Sequence, residues 1–381
     1  MMDTSRFLRR LLCAAILVQT LFPATVAFGK EFSDLDPNYR NRTVDAEGLV
    51  WRDALAGPIA LEGAPFGSSE GRRTRFPLEF CGRMECAANY RAMAVQGAGL
   101  SIRFQAKAKR ISIRATYDEF YVNMKMPAAA SGFDVYRNGL FDMVAQPKLD
   151  LGDGGVFTFT LRGCSNWTDY QVYFPLQCGI VKLEIGLDAT GEVRVPTPHK
   201  NGPRPIVLYG SSIANCGNVS RPGLEQSNRI GRLIDIPTVN MGFSGSARGE
   251  AAAAEAAAAA DPAALVVEYE ANAPTLEHFQ RSLPAFFKRF RELKPTTPVI
   301  LSGNPICSYW GGKGRMTILQ TWRDAVEAGD RHVEFVDWRS YLEDGDRGDY
   351  SMDGEHQNDA GARVMSDVIA RRLMTMMEIQ R

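Results

Sequence analysis

Ile206-Val207-Leu208-Tyr209-Gly210-Ser211-Ser212-Ile213 is an apolar run that stops at a glycine and two serines. A short, wholly apolar run bounded by a turn signal reads as a strand buried on both faces, the kind a parallel sheet contains. Similar runs begin at Thr238, Ala264, Pro298 and Val333. Helical stretches lie between them, at 224–234, 249–260, 275–293 and 317–328, and a last one runs from about 360 to 377. Strands alternating with helices form βαβ units, so the second half is expected to be a three-layer α/β/α fold on a parallel sheet. The alanine tract at 251–260 reads as ordinary helix, because alanine is the best helix former.

The first half has a different texture. Short β-branched or aromatic runs occupy 100–104, 110–117, 132–136, 156–161, 170–176 and 180–187. Ile111-Ser112-Ile113-Arg114-Ala115 alternates with period two, as a half-buried strand does. No long amphipathic helix interrupts these runs. Residues 31–200 are therefore expected to form an antiparallel, jelly-roll-like β-sandwich. Pro196-Thr197-Pro198-His199-Lys200-Asn201-Gly202-Pro203-Arg204-Pro205 carries four prolines and reads as a stiff linker. A second domain is expected over 203–381.

Residues 1–29 stand apart from both halves. Arg6, Arg9 and Arg10 precede the apolar run 11–22, and small residues follow up to Gly29. That is the pattern of a secretory signal, cleaved after Ala27 or Gly29. The apolar run is shorter than the roughly 20 residues a spanning helix needs. A secreted or periplasmic protein is expected, with no stable membrane insertion once the signal is removed. Cysteines 81, 86, 164, 178, 216 and 307 remain, an even number that fits disulfides in an exported chain. The local pairings are 81 with 86 and 164 with 178, leaving 216 with 307; spacing alone leaves the connectivity open. No second close cysteine pair or nearby histidine completes a zinc set, so no metal or other cofactor is expected. Basic and acidic residues balance at 44 each, which removes the electrostatic case for nucleic acid as a partner.

Reactive residue types collect just after the strands of the second half. Ser212 follows the first, Asn240-Met241-Gly242-Phe243-Ser244-Gly245 includes and follows the second, and Glu268-Tyr269-Glu270-Ala271-Asn272 follows the third. Asp353 and His356 precede the last helix. Active residues of parallel sheets gather at the carboxyl ends of strands, so these groups can converge. Ser212 is a candidate nucleophile, His356 its general acid–base and Asp353 the group that orients the imidazole. The Ser212 N–H, the Gly245 N–H and the Asn272 side-chain amide are candidate donors to an oxyanion. Glycine at 245 suits a backbone that must come close to the reacting oxygen. Each residue also has a plainer reading: helix cap for Ser212, Asp353 and Asn272, turn glycine for Gly245.

Ser212, Gly245, Asn272 and His356 in that order, with Asp353 three residues before the histidine, resemble the four blocks of the SGNH (GDSL-type) hydrolase family. Gly132-Phe133-Asp134-Val135-Tyr136 resembles the G-x-D-L-Y signature of a β-sandwich found ahead of one branch of that family. The run 170–187 resembles the late strands of that sandwich, and Ser220-Arg221-Pro222-Gly223 the branch's loop after the nucleophile. The resemblance implies a metal-independent serine esterase with Ser212, His356 and Asp353 as catalytic residues and Ser212, Gly245 and Asn272 as the oxyanion hole.

The chain departs from the pattern at several places. Ser211 stands for the aspartate of G-D-S, Glu270 and Ala271 stand where glycines are common, Ala273 replaces an aspartate, and Gln357 replaces a proline. Glu270 is expected to narrow the pocket or add negative charge, which disfavours an anionic acyl group. Tyr309-Trp310-Gly311-Gly312 either stacks on a sugar or packs within the protein. Arg221 either touches substrate or holds its loop. The expected substrate is a short acyl ester, acetyl above all, carried by carbohydrate. A lipid esterase or thioesterase is the competing enzyme reading. An inactive glycan-binding or envelope protein on a hydrolase fold is the reading outside enzymes.

Overall fold

A computed structural model describes residues 48–379, apart from 70–71, 119–125, 149–150, 153, 216 and 343–346. The expected signal segment and Cys216 lie outside the described residues.

The first half contains strands β1 (Leu49–Asp53), β2 (Ala60–Glu62), β3 (Ser68–Ser69), β4 (Arg72–Arg73), β5 (Ser101–Tyr117), β6 (Phe133–Arg137), β7 (Leu140–Ala145), β8 (Val156–Tyr173), β9 (Ile180–Asp188) and β10 (Glu192–Arg194). Strands β3 and β4 form a small hairpin, and the rest build one antiparallel sheet in the order β1-β9-β5-β8-β6-β7, with β2 and β10 added on β5. The runs at 100–104 and 110–117 prove to be one strand, β5, and those at 156–161 and 170–176 fall largely within β8.

Burial along β5 explains how one strand does this. Ile102, Phe104, Ala106 and Ala108 are buried, and then Ile111, Ile113, Ala115 and Tyr117. The alternation changes phase at Lys109-Arg110, beside a register shift between Ala106 and Ala108 in the ladder with β8. A bulge lets the strand bend and keep its apolar side chains in one core along its whole length. Strands β2 and β10 pair with its first part and β9 with its last. The sheet thus folds over a single core that includes Phe104, Tyr117, Phe133 and Tyr170.

The second half is a five-stranded parallel sheet: β11 (Ile206–Gly210), β12 (Thr238–Gly242), β13 (Ala264–Glu268), β14 (Val299–Ser302) and β15 (Val333–Val336), ordered β12-β11-β13-β14-β15. Every residue of β11 is buried, as its apolar run requires. Val207 and Tyr209 face a core built with helices Ala251–Ala259 and Leu276–Leu293, and Ile206 and Leu208 face one built with Gln226–Ile234 and Asp359–Met376. In chain order the strands run 2-1-3-4-5, so direction switches at β11, and its carboxyl end opens on the crevice such sheets use for ligands.

Periodicity in the first half does not announce the helices Leu78–Cys81 and Ala87–Ala94. Phe76, Cys81, Met84, Tyr90 and Ala94 from this segment belong to the core of the parallel sheet. The Phe243 ring lies 5.1 Å from Phe76 and 4.1 Å from Tyr90. Arg75 is 0% exposed. Its guanidinium donates to the carbonyls of Asn240 (2.7 Å) and Gly242 (2.8 Å) and to the Asn215 side chain (3.0 Å).

The expected local disulfides are not formed, since Cys81, Cys86 and Cys164 are free thiols, as is Cys307. Cys81 is enclosed in the core beside the parallel sheet, while Cys86 sits at the start of the next helix. Cys164 is half-buried on β8, whereas Cys178 lies in the core of the antiparallel sheet.

Candidate active site

Strand β11 ends at Gly210 and the chain turns into the helix Ser212–Asn215. This turn presents Ser212 Oγ to His356 Nε2 at 2.8 Å. On the other side of the ring, His356 Nδ1 lies 2.8 Å from Asp353 Oδ2. Asp353 Oδ1 accepts the backbone N–H groups of His356 (2.7 Å) and Glu355 (3.0 Å), so one tight turn fixes carboxylate and imidazole together. The His356 side chain is 19% exposed and that of Asp353 45%. Partial burial acts to raise the Asp353 carboxyl. The N–H groups of His356 and Glu355 and the imidazole outweigh it and hold the carboxyl well below its ordinary range. Asp353 is therefore ionised at neutral pH and fixes the tautomer of the ring.

The turn after β12 carries Gly245 at φ +66°, and a Cβ there would meet nothing within 4 Å. Left-handed backbone, rather than the crowding expected from the sequence, selects glycine here. Asn272 ends a short turn after β13, and its side-chain amide donates to the Phe243 carbonyl at 2.9 Å. The amide is thereby tied to the turn that bears Gly245. Asn272 is not the cap of the following helix, because Thr275 Oγ1 accepts the His278 N–H at 3.1 Å.

Residues to which the sequence reading gave no role hold these pieces in register. Asn218 Nδ2 donates to Asp353 Oδ2 at 3.0 Å, and the Asn218 N–H donates to the Gln357 carbonyl at 2.7 Å. Gln357, wholly buried, donates from Nε2 to the Ile213 carbonyl at 2.8 Å, which a proline at that position could not do. Ser220 donates from its N–H and its hydroxyl to Asp359 at 2.7 and 2.6 Å. Asn218 and Asp359 stand in no motif or periodic pattern, so the sequence carried no signal for them. Gln357 was visible only as a departure from the family pattern, and that departure marks its buried contact.

Arg221 holds its loop. Its Nη1 donates to Asp134 Oδ2 at 2.6 Å and to the Tyr136 hydroxyl at 3.0 Å. The same Asp134 oxygen accepts the Gly223 N–H at 2.7 Å. The aspartate of Gly132-Phe133-Asp134-Val135-Tyr136 is thus the anchor by which the antiparallel sheet grips the loop after Ser212.

One further expectation is corrected, and one pair of alternatives is narrowed. Glu270 does not border an open pocket: it is 3% exposed, in a space left by Gly303 and Gly314, where a Cβ on either would collide with its carboxyl. The Tyr309 and Trp310 rings are engaged within the protein. The Tyr309 hydroxyl donates to Glu355, and Trp310 packs on the core with its ring 5.9 Å from Phe279. With Asn304 Nδ2 donating to the Glu355 carbonyl at 3.2 Å, this segment braces the turn that bears His356.

The comparisons with known proteins agree with this geometry. Residues 203–374 match the GDSL-like lipase/acylhydrolase family, and residues 49–193 match the N-terminal region, GxDLY, of SGNH-type esterases. The chain belongs to this hydrolase family. It is a carboxylic ester hydrolase by that membership. A putative GDSL-like lipase from Bacteroides ovatus is 22% identical with a TM-score of 0.75, over 87% of this chain and 99% of that one. The salicylyl-acyltransferase SsfX3 from a tetracycline biosynthetic pathway is 15% identical with a TM-score of 0.71, over 88% and 99%. The acetyl xylan esterase Est2A from Butyrivibrio proteoclasticus is 12% identical with a TM-score of 0.55, over 86% and 99%. No curated protein sequence matches the chain.

In this SGNH hydrolase a cavity of about 940 Å³ lies between the two sheets' modules, lined by Glu62, Arg103, His199, Arg232 and Asp235 among others. It does not include Ser212, Asp353 or His356. His199 bridges Glu62 (2.8 Å) and Asp235 (2.9 Å) there, so these polar groups satisfy one another.

Three buried carboxyls shape the hydrolase's stability. Glu225, Glu268 and Glu270 are each raised from an ordinary value of 4.5 to about 7, chiefly by desolvation. Between those values the unfolded chain has lost protons that the fold retains. Their stabilisation is therefore complete below about pH 4.5 and declines as pH rises through about 7. The melting temperature is expected to fall steadily from pH 5 to pH 8, and Glu268→Gln to flatten part of that slope. Thermal denaturation followed by circular dichroism at fixed ionic strength checks this; a melting temperature that rises over the interval contradicts it.

Proposed function

We propose that the protein hydrolyses short acyl esters, acetyl above all, carried by carbohydrate, with Ser212, His356 and Asp353 as its catalytic residues. The observation that carries the reading is the alignment of Ser212 Oγ, the His356 ring and Asp353, with 2.8 Å on each side of the imidazole. His356 takes the Ser212 proton as Oγ bonds to the acyl carbon, and Asp353 stabilises the imidazolium. The tetrahedral intermediate places its oxyanion toward the Ser212 N–H, the Gly245 N–H and Asn272 Nδ2, which has a second hydrogen beyond the one given to Phe243. Collapse expels the alcohol, which receives the proton from His356. Water then repeats the sequence on the acyl-enzyme and releases the acid.

The carbohydrate part of the reading is supported by fold likeness to proteins described as carbohydrate esterases, one of them from Clostridium thermocellum in complex with cellohexaose. Residues 1–29 support a site of action outside the cytoplasm. Among the described residues no helix is long and apolar enough to cross a membrane.

The test is a series of p-nitrophenyl esters from acetate to octanoate, together with acetylated xylo-oligosaccharides. Acetate is expected to exceed octanoate in kcat/KM by about tenfold or more, a difference of some 1.4 kcal/mol in barrier, and acetate is expected to be released from the oligosaccharides. Preference for octanoate would assign the protein to lipid esters. Absence of turnover with every ester, from folded protein, would leave a binding protein on a hydrolase fold.

A further inference from the structure

We propose that Ser211 and Glu268 act as a positioning pair that fixes the nucleophile turn from behind. The inference rests on Ser212 being the nucleophile. Position 211 is where this chain has serine in place of the aspartate of G-D-S, and Ser211 is wholly buried. Its hydroxyl donates to Glu268 Oε2 at 2.8 Å and accepts the Ile213 N–H at 3.1 Å. Its own N–H donates to the Glu268 carbonyl at 2.8 Å. The Ser211 N–H is thus held by Glu268 directly and the Ile213 N–H through the Ser211 hydroxyl, so the backbone on either side of Ser212 is referred to one residue on the neighbouring strand.

That residue is well placed for the task. Glu268 is the last residue of β13 and pairs with Gly210, the last residue of β11. Four residues later the same segment delivers Asn272, whose amide is tied to Phe243. One strand end thus sets the spacing between the attacking hydroxyl and a donor to the oxyanion. The Ser211 hydroxyl meets the Glu268 carboxyl directly at 2.8 Å, so the link between the two strand ends is a single short contact. Ser211 and Glu268 touch no substrate; they act through the backbone of Ser212. A misplacement of about 1 Å at a reacting atom costs on the order of 10²-fold in rate, so this bond has kinetic weight.

The experiment compares Ser211→Ala, Glu268→Ala, Glu268→Gln and the double variant Ser211→Ala/Glu268→Ala. Each is assayed for p-nitrophenyl acetate hydrolysis, for the rate of Ser212 labelling by a fluorophosphonate, and for folding by circular dichroism. Ser211→Ala and Glu268→Ala are expected to lower kcat by about 10- to 100-fold with KM within about twofold of the parent. Glutamine at 268 keeps an acceptor for the Ser211 hydroxyl and is expected to restore kcat to within about threefold. The double variant is expected to be no worse than the poorer single one, since both changes break one linkage. Parental kcat in folded Ser211→Ala, a Glu268→Gln variant as poor as Glu268→Ala, or additive losses would each overturn the pair. If Glu268→Ala does not fold, Ser211→Ala and Glu268→Gln decide the matter. Failure of the reagent to label the parent at Ser212 removes the nucleophile reading itself. Labelling of the parent and of Ser211→Ala at equal rates removes only the positioning role.

Discussion

Ser212→Ala, and separately His356→Ala, are expected to lower kcat by about 10⁴- to 10⁶-fold, the range found when a member of a serine–histidine unit is removed. The hydroxyl and the ring are 2.8 Å apart, so each is ineffective without the other. The double variant is therefore expected to be no slower than the worse single one. Neither side chain belongs to a core cluster, so melting temperatures are expected to stay close to that of the parent. Asp353→Asn is expected to be milder than either, because Asn218 and the local backbone donors also shape that turn. Initial rates on an ester that the parent turns over, with circular dichroism on the same samples, decide the outcome. A folded Ser212→Ala protein that retains about a tenth of the parental rate would remove Ser212 from the mechanism, since that residue corresponds to barely 1.4 kcal/mol.

Arg75→Met is expected to destabilise the protein by about 3–5 kcal/mol, because buried acceptors left without donors cost roughly 1–3 kcal/mol each. The guanidinium satisfies the carbonyls of Asn240 and Gly242 and the Asn215 side chain, all within the parallel sheet and the helix that starts at Ser212. Methionine fills similar space but donates nothing. For a cooperative unit of this size the loss corresponds to a fall of about 6–20 °C in melting temperature. Activity is expected to fall as well, because Asn215 Nδ2 donates to Ser244 Oγ at 3.1 Å, beside Gly245. A melting temperature within about 2 °C of the parent, less than the shift expected for 1 kcal/mol, would show that water or a rearranged side chain replaces the guanidinium.

Much of the parallel sheet was legible because its signal is local. A strand buried on both faces must be apolar throughout, and β11, β12, β13 and β15 begin at the residues where their runs begin, with β14 one residue later. The groups brought together at Ser212 were legible for a related reason: parallel strands share a carboxyl end, so blocks far apart in sequence converge there. The antiparallel half was legible in type but not in extent. A bulge reverses the in–out phase at Lys109-Arg110, which splits one strand into two apparent runs. The helices around Tyr90 were not legible at all, since their burial is created by a sheet encoded much later in the chain. Glu270 was misread for the converse reason, and Tyr309 and Trp310 were left between two readings. Residue type suggests a pocket wall or a sugar platform, and only packing shows that each side chain already has partners inside the protein.

Arg75 meets Asn240 across 165 residues of sequence. During synthesis, then, a cation and a set of aromatic and aliphatic side chains emerge long before the surface that receives them. The whole antiparallel half, the proline-rich stretch and the first βα unit must be made before Phe76 and Tyr90 find Phe243. Contacts of such long reach slow folding and lengthen the time for which sticky surface is exposed. A ribosome-bound fragment ending near residue 200 would hold Arg75, Phe76 and Tyr90 without the sheet they pack against. A fragment beginning at 203 would have the reverse defect, a sheet face lacking its lid.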